Sequence, residues 1–245
     1  MAGMRVGAVM SPPWGYLRRR AITRILRAAD ELEIVFQPIV DLQRLECVGY
    51  EALARFPDGR PPDVWFAEAR AVGVESVLEM AAIERAVDTF DGRSSLSLNI
   101  SPATAMTRAF ELFVDTCPST VELVIELTEH TAVSDYAALV AALAPLRERG
   151  VRIAVDDTGS GVASMRHVLA LAPDIIKLDG SLVARIDLDD RRRALAASLR
   201  QFADNVGVEV VAEGIERHEE WEVCQDLGIP FGQGFYFGRP SPLPA

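Results

Sequence analysis

The sequence predicts an α/β protein folded as a TIM-like (β/α)8 barrel with an antiparallel first strand. Three observations carry the prediction. Short apolar or alternating segments, each ending in a polar residue, alternate with longer segments of helical spacing. Seven or eight such strands fit into roughly 210 residues, the size of a closed barrel. The first two strands are close enough in sequence for an antiparallel start. An open doubly wound sheet is the other arrangement this alternation permits.

Residues 1–27 read as an N-terminal extension and helix, and 28–245 as one barrel domain with no internal linker or second composition. Ile34 to Val40 and Cys47 to Arg55 form the first two strands, joined by a turn around Asp41 to Arg44. Pro62 opens a helical stretch. A second helix, Glu75 to Phe90, has Val77, Met80, Ala81, Ile83 and Val87 on its apolar side and stops at Asp91-Gly92. Leu96, Leu98 and Ile100 alternate with Ser97, Asn99 and Ser101 in the third strand. Val121 to Leu127 and Val151 to Asp156 follow, with helices from about Ala103 and Asp135, the latter capped by Gly150. Asp174 to Leu178 and Val208 to Ala212 flank a long helix near Asp189 to Asn205. A short eighth strand is expected near Gly232 to Tyr236, before an irregular tail, Pro240 to Pro244.

Composition narrows the function classes. Of 245 residues, 49% are hydrophobic and 25% charged, which supports a sizeable core and excludes bulk disorder. No apolar run approaches the ~18 residues of a membrane-spanning helix. The start, with Pro12-Pro13 and a basic cluster after its apolar stretch, does not resemble a signal peptide. A formal charge of −11 opposes duplex nucleic acid and anionic membrane surfaces as partners, and any phosphate-bearing ligand would need local cations. Cys47, Cys117 and Cys224 are too scattered for a zinc site or a disulfide framework, so a reducing cytoplasm is the expected compartment.

What ends each strand is the informative pattern. Glu51 lies in the second, Asn99 in the third, Glu126 in the fourth, Asp156 and Asp157 after the fifth, Lys177 in the sixth, Glu213 after the seventh and Gln233 near the eighth. In a barrel these positions converge on one face. Five carboxylates and an amide in one mouth would repel one another unless cations sat among them, and an all-oxygen set suits Mg²⁺ or Mn²⁺. Adjacent Asp156 and Asp157 can address two ions, the arrangement used for in-line displacement at phosphorus.

Each residue also has a bland reading. Glu51 alone reads as a solvated strand residue, and Asp156-Asp157-Thr158-Gly159 alone as a turn. Lys177, between Ile176 and Leu178, resists such a reading, because a lysine within an apolar strand needs a partner or an open mouth. The Arg191-Arg192-Arg193 run reads as a solvated helix start. His130, His167 and His218 read as surface groups, and Trp65 and Trp221 as helix-packing residues.

A family resemblance joins these residues. Tyr50-Glu51-Ala52-Leu53-Ala54-Arg55 resembles the signature of the EAL domain, the bacterial cyclic di-GMP phosphodiesterases. It is accompanied in order by Phe36-Gln37-Pro38-Ile39, Leu98-Asn99-Ile100-Ser101, Ile125-Glu126-Leu127-Thr128-Glu129, Asp156-Asp157, Ile176-Lys177-Leu178-Asp179, Ala212-Glu213-Gly214-Ile215-Glu216 and Gly232-Gln233-Gly234-Phe235. The resemblance implies a barrel with its first strand antiparallel, two Mg²⁺ or Mn²⁺ ions per site, and hydrolysis of cyclic di-GMP to linear pGpG. It implies that Glu51, Asn99, Glu126 and Asp156 ligate the first ion, and Asp156, Asp157 and Glu213 the second. Lys177 matches the residue that holds or helps deprotonate the attacking water. Gln37, Leu53, Arg55, Asp179 and Gln233 match substrate contacts, and Glu129 matches a loop-steadying glutamate. A homodimer is also implied.

The chain departs from the family at Thr158, where an aromatic loop anchor is usual, at Gly180, where a basic residue is common, and at Arg70, where glutamate is usual. The competing expectations are a catalytically weak cyclic di-GMP receptor module, suggested by Thr158, and an enolase-like Mg²⁺ lyase with Lys177 as base. The second leaves Arg55 and Gln233 without a job.

Overall fold

The structure is a computed structural model that describes residues 18–19, 22–25, 32–127, 133, 135–158 and 162–243, with 157 and 162–164 described by backbone alone. Eight strands close into a barrel in sequence order: β1 Glu33–Asp41, β2 Glu46–Arg55, β3 Ser95–Ile100, β4 Glu122–Leu127, β5 Arg152–Thr158, β6 Ile175–Leu178, β7 Glu209–Ala212 and β8 Phe231–Gln233. β1 pairs antiparallel with both β2 and β8, while every other neighbouring pair is parallel. The predicted barrel and its reversed first strand are therefore both present.

The reversal is set by a tight turn. The Asp41 carboxylate accepts from the backbone N–H groups of Gln43 and Arg44, both at 2.9 Å, and Leu45 takes a φ of 56° to send the chain back as β2. The later strands run parallel because helices cross over between them, as at Glu75–Thr89, Tyr136–Glu148 and Asp190–Val206. The helix Tyr136–Glu148 ends as expected at Gly150, whose φ is 83° and whose N–H reaches the Arg147 carbonyl at 2.9 Å. Asp189 caps Asp190–Val206 by accepting from the N–H groups of Arg191 and Arg192.

Two apolar cores result. The large one lies between the barrel wall and the helices, and Ile22 and Ile25 from the described N-terminal helical residues are buried in it. Trp65 packs there on Phe56, rings stacked at 4.7 Å, and Trp221 stacks on Tyr236, so both tryptophans are packing residues. The small core is inside the barrel and comprises Ile39, Val124, Ala154, Ile175 and Val211. Strand side chains two apart share a face, so these residues sit one step below the inward-facing Gln37, Glu126, Asp156, Lys177 and Glu213.

Three local expectations need correction. Glu75–Thr89 buries Glu75, Leu78, Glu79, Ala82, Ile83 and Ala86, whereas Val77 is 54% exposed. The i, i+3, i+4 stripe includes two acids because each has a partner, described below. His167 is only 6% exposed and lies edge-on to Tyr136 at 5.4 Å, so it is not a surface group. His130 falls outside the described residues.

The eighth strand stops at Gln233 rather than Tyr236. The chain there crosses Ile215 so closely that a Cβ on Gly234 would lie 2.1 Å from the Ile215 carbonyl oxygen. Gly234→Ala is therefore expected to cost about 1–3 kcal/mol, the usual range for overpacking against groups that cannot retreat. An unchanged denaturation midpoint would contradict that contact. No helix among the described residues is long and apolar enough to cross a membrane.

Candidate active site

The parallel strands deliver their polar ends to one ring, and β1 adds Gln37 because its register pairs Gln37 with Glu51. Lys177 is the hub. It is 1% exposed, and its Nζ lies 2.5 Å from Glu126 Oε2, 2.7 Å from Glu213 Oε1, 3.5 Å from Asp156 Oδ1 and 3.7 Å from Glu51 Oε2. Asn99 Nδ2 donates to Glu51 Oε1 at 2.6 Å. Gln233 Nε2 donates to Glu51 Oε2 at 2.5 Å and to Gln37 Oε1 at 2.9 Å, while Gln37 Nε2 donates to the Gly238 carbonyl. The structure thus gathers Gln37, Glu51, Asn99, Glu126, Asp156, Lys177, Glu213 and Gln233.

The ring's charge is unbalanced. Four carboxylates surround one ammonium, so full ionisation would leave three negative charges without a counter-charge among these groups. Burial, only partly opposed by the Lys177 charge and reinforced by Glu51 and Asp156, pushes Glu126 up to about 8. Burial likewise holds Glu213 well above the usual carboxyl range. For Lys177, burial alone would lower the pKa, but Asp156, Glu126, Glu213 and Glu51 outweigh it and hold the ammonium well above its ordinary value.

The residues fit divalent cations. Asp156 Oδ1 is buried without a hydrogen-bond partner, and all the anionic donors are oxygens, the chemistry Mg²⁺ and Mn²⁺ prefer. Among the described residues no three His, Cys, Asp or Glu side chains are placed to hold a metal ion as they stand. The carboxylates instead draw in on Lys177.

A pH dependence follows. Above pH ~4.5 an unfolded Glu126 has released its proton, whereas the folded chain keeps it until about 8, so the metal-free fold is expected to lose stability across that window as pH rises. Cation binding needs ionised ligands, so the thermal shift on adding Mn²⁺ should be larger at pH ~8.5 than at pH ~5.5. Equal shifts at the two pH values would refute this balance.

The remaining candidates are arranged differently. Arg55 closes β2 four residues beyond Glu51, and its Nη1 donates to the Ala54 carbonyl at 2.8 Å. Asp179 accepts from the Ser181 N–H at 2.8 Å and so caps the short helix Gly180–Val183. Leu53 lines a cavity of about 400 Å³ between β2, β3 and the helices Pro62–Ala71 and Glu75–Thr89, where Arg70 pairs with Glu75 at 2.5 Å. Glu129 and the Asp157 side chain lie outside the described residues.

A buried network behind Asn99 escaped the sequence reading. Glu79 accepts from the Ser101 N–H at 3.1 Å and from Ser101 Oγ at 2.9 Å, and Thr104 Oγ1 continues the chain to Ser76. It anchors the end of β3 two residues beyond Asn99. The available signal was the 75, 78, 79, 82, 83, 86 spacing, which places Glu79 on the face with Leu78 and Ile83.

Comparison with known proteins agrees with the barrel fold. A family profile described as EAL domain matches residues 19–240. The chain is 29% identical over 231 residues to the uncharacterized protein Rv1354c of Mycobacterium tuberculosis, covering 87% of this chain and 37% of that one. It is 26% identical to the probable cyclic di-GMP phosphodiesterase PdeD of Escherichia coli, covering 88% and 43% respectively. The chain therefore spans less than half the length of these curated relatives. Among solved structures, a manganese and cyclic di-GMP complex of Klebsiella pneumoniae BlrP1 superposes with a TM-score of 0.76 at 30% identity, over 86% of this chain and 56% of that one. The Xanthomonas citri FimX EAL domain in complex with cyclic di-GMP, at 18% identity and TM-score 0.79 over 94% and 95%, shares the fold.

Proposed function

This chain belongs to the EAL-domain family, and from that premise we propose that it hydrolyses cyclic di-GMP to linear pGpG, opening one phosphodiester by attack of water with two divalent cations bound. The observation that carries the reading is the buried carboxylate ring around Lys177, in which Asp156 Oδ1 has the Lys177 charge at 3.5 Å but no hydrogen bond. The cyclic di-GMP complex of BlrP1 supports the choice of ligand.

Glu51, Asn99, Glu126 and Asp156 would hold the first ion and Asp156, Asp157 and Glu213 the second, Mg²⁺ or Mn²⁺ in each case. When bound, such ions lower the pKa of water and neutralise phosphate oxygens. The chain's own groups do the rest. Lys177, oriented by Glu126 and Glu213, presents Nζ to the attacking water and favours hydroxide as the proton leaves. Gln233 and Asn99 fix the Glu51 carboxylate from both sides. Arg55 offers a planar fork to a phosphate that this acidic chain would otherwise repel. Leu53, Asp179, Gln37 and Gln233 would contact the nucleotide, and Glu129 would steady the loop after the fifth strand. We assign the protein to the cytoplasm and expect it to act as a homodimer.

Chromatography of cyclic di-GMP incubated with the purified protein and Mn²⁺ or Mg²⁺ tests the reading. Linear pGpG is the expected product. Saturable binding with no linear product would instead favour a receptor module, the reading that the buried Thr158 in β5 supports.

A further inference from the structure

We infer that the barrel lumen beneath the carboxylate ring is a water-filled well, open at the floor of the barrel, that exchanges water with the underside of Glu126 and Lys177 while substrate covers the mouth. The inference rests on the phosphodiesterase reading for its catalytic consequence, but not for the existence of the well.

An eight-stranded barrel is just wide enough for its inward side chains to fill, and bulky branched residues usually do so. Here the filling is incomplete. The inner ring below the site sets the small Ser97 and Ala154 among the larger Ile39, Val124, Ile175 and Val211, and these residues line a cavity of about 320 Å³. That is far above the roughly 10–15 Å³ a single water needs. The cavity runs from Asp41, Arg44 and the Arg152–Glu209 ion pair at the floor to Glu126 and Lys177 at its inner end. Water requires polar partners, and the well has them at both ends. Charged groups line the floor rim, and Ser97, 2% exposed, shares the well with the buried Glu126 and Lys177.

The consequence is kinetic. Each hydrolysis consumes one water, and a bulky cyclic dinucleotide across the mouth separates the ring from bulk solvent on that side. A floor entrance leaves the underside of Lys177 and Glu126 in contact with exchangeable water during the reaction. Narrowing the well should therefore slow turnover without weakening substrate binding.

Two measurements decide it. In a Cys47→Ser background, a thiol placed in the well by Ser97→Cys should react with methyl methanethiosulfonate in the folded protein, located by peptide mass mapping. Adding Ala154→Leu should slow that reaction at least about tenfold, because reactivity of a buried thiol follows access. A Ser97→Cys thiol that stays unmodified in folded protein overturns the inference. In the second measurement, Ala154→Leu, with Ser97→Val as a milder companion should the first fold poorly, is expected to lower kcat at least about threefold at unchanged KM. Wild-type kcat in a folded, plugged variant also overturns it. Absence of any turnover in the wild type would count against the phosphodiesterase reading alone, since the thiol measurement still decides whether the well is open.

Discussion

Glu51→Ala is expected to reduce cyclic di-GMP turnover by on the order of 10³-fold, at the upper end of what one preorganised electrostatic contact contributes in a water-excluded site. Glu51 is the most connected carboxylate of the ring. It accepts from Asn99 at 2.6 Å and Gln233 at 2.5 Å, and lies 3.7 Å from Lys177. Truncation removes one anionic donor and releases two amides that held it, so cation affinity and the shape of the site should fall together. Glu51→Gln separates the two effects. It keeps the volume and an acceptor for Asn99 but removes the charge, so a charge-dependent ligand role predicts that Gln is nearly as poor as Ala. Calorimetric titration of Mn²⁺ into each variant gives a readout independent of turnover. Wild-type kcat in Glu51→Gln would exclude the ligand assignment even if Glu51→Ala were inactive.

Much of this arrangement was legible before any coordinates. Alternation at period two set every inward position: once Leu98 and Ile100 face the wall, Asn99 must face the lumen, and the same holds for Lys177 between Ile176 and Leu178. Strand number favoured closure without excluding an open sheet, and the pairing of β1 with β8 decides it. Distances between strands were not legible, because they depend on register. That Lys177 sits nearer Glu126 and Glu213 than Glu51 is decided by pairings such as Lys177 with Val211, which no local pattern reveals. The Glu79 network was missed because a hydrophobicity pattern treats a buried acid as a surface residue, and its partners, Ser101 and Thr104, come from beyond the end of β3. The end of β8 was missed because it is fixed by the remote backbone of Ile215 pressing on Gly234 rather than by local preference. The buried His167 is a similar case, since only the fold brings Tyr136 beside it.

Lys177→Met should have the largest effect on the metal-free protein, because Lys177 is the ion-pair partner shared by four carboxylates. Removing one partner of a buried ion pair costs about 3–5 kcal/mol, since the remaining charge keeps its desolvation penalty and loses its compensation. Here the remaining acids have an escape. Glu126 already sits near 8 through burial, and with the ammonium gone its proton would be held more tightly still. The loss should therefore be small at pH ~5.5, where Glu126 holds its proton, and should approach the full value at pH ~8.5, where Glu126 is pressed to ionise. Mn²⁺ should recover much of the stability lost at high pH, because a divalent cation supplies the positive charge the ring has lost. Turnover should not recover with it. If Lys177 holds the attacking water at Nζ, its removal should lower kcat by about 10²–10⁴-fold, the range typical of a positioned proton-transfer group, while cyclic di-GMP binding persists. Melting curves at the two pH values, with and without Mn²⁺, separate the electrostatic part from the catalytic one. A variant as stable as wild type at high pH without metal would mean that the ring is not anionic as described, and one restored to full kcat by Mn²⁺ would mean that Lys177 serves only to balance charge.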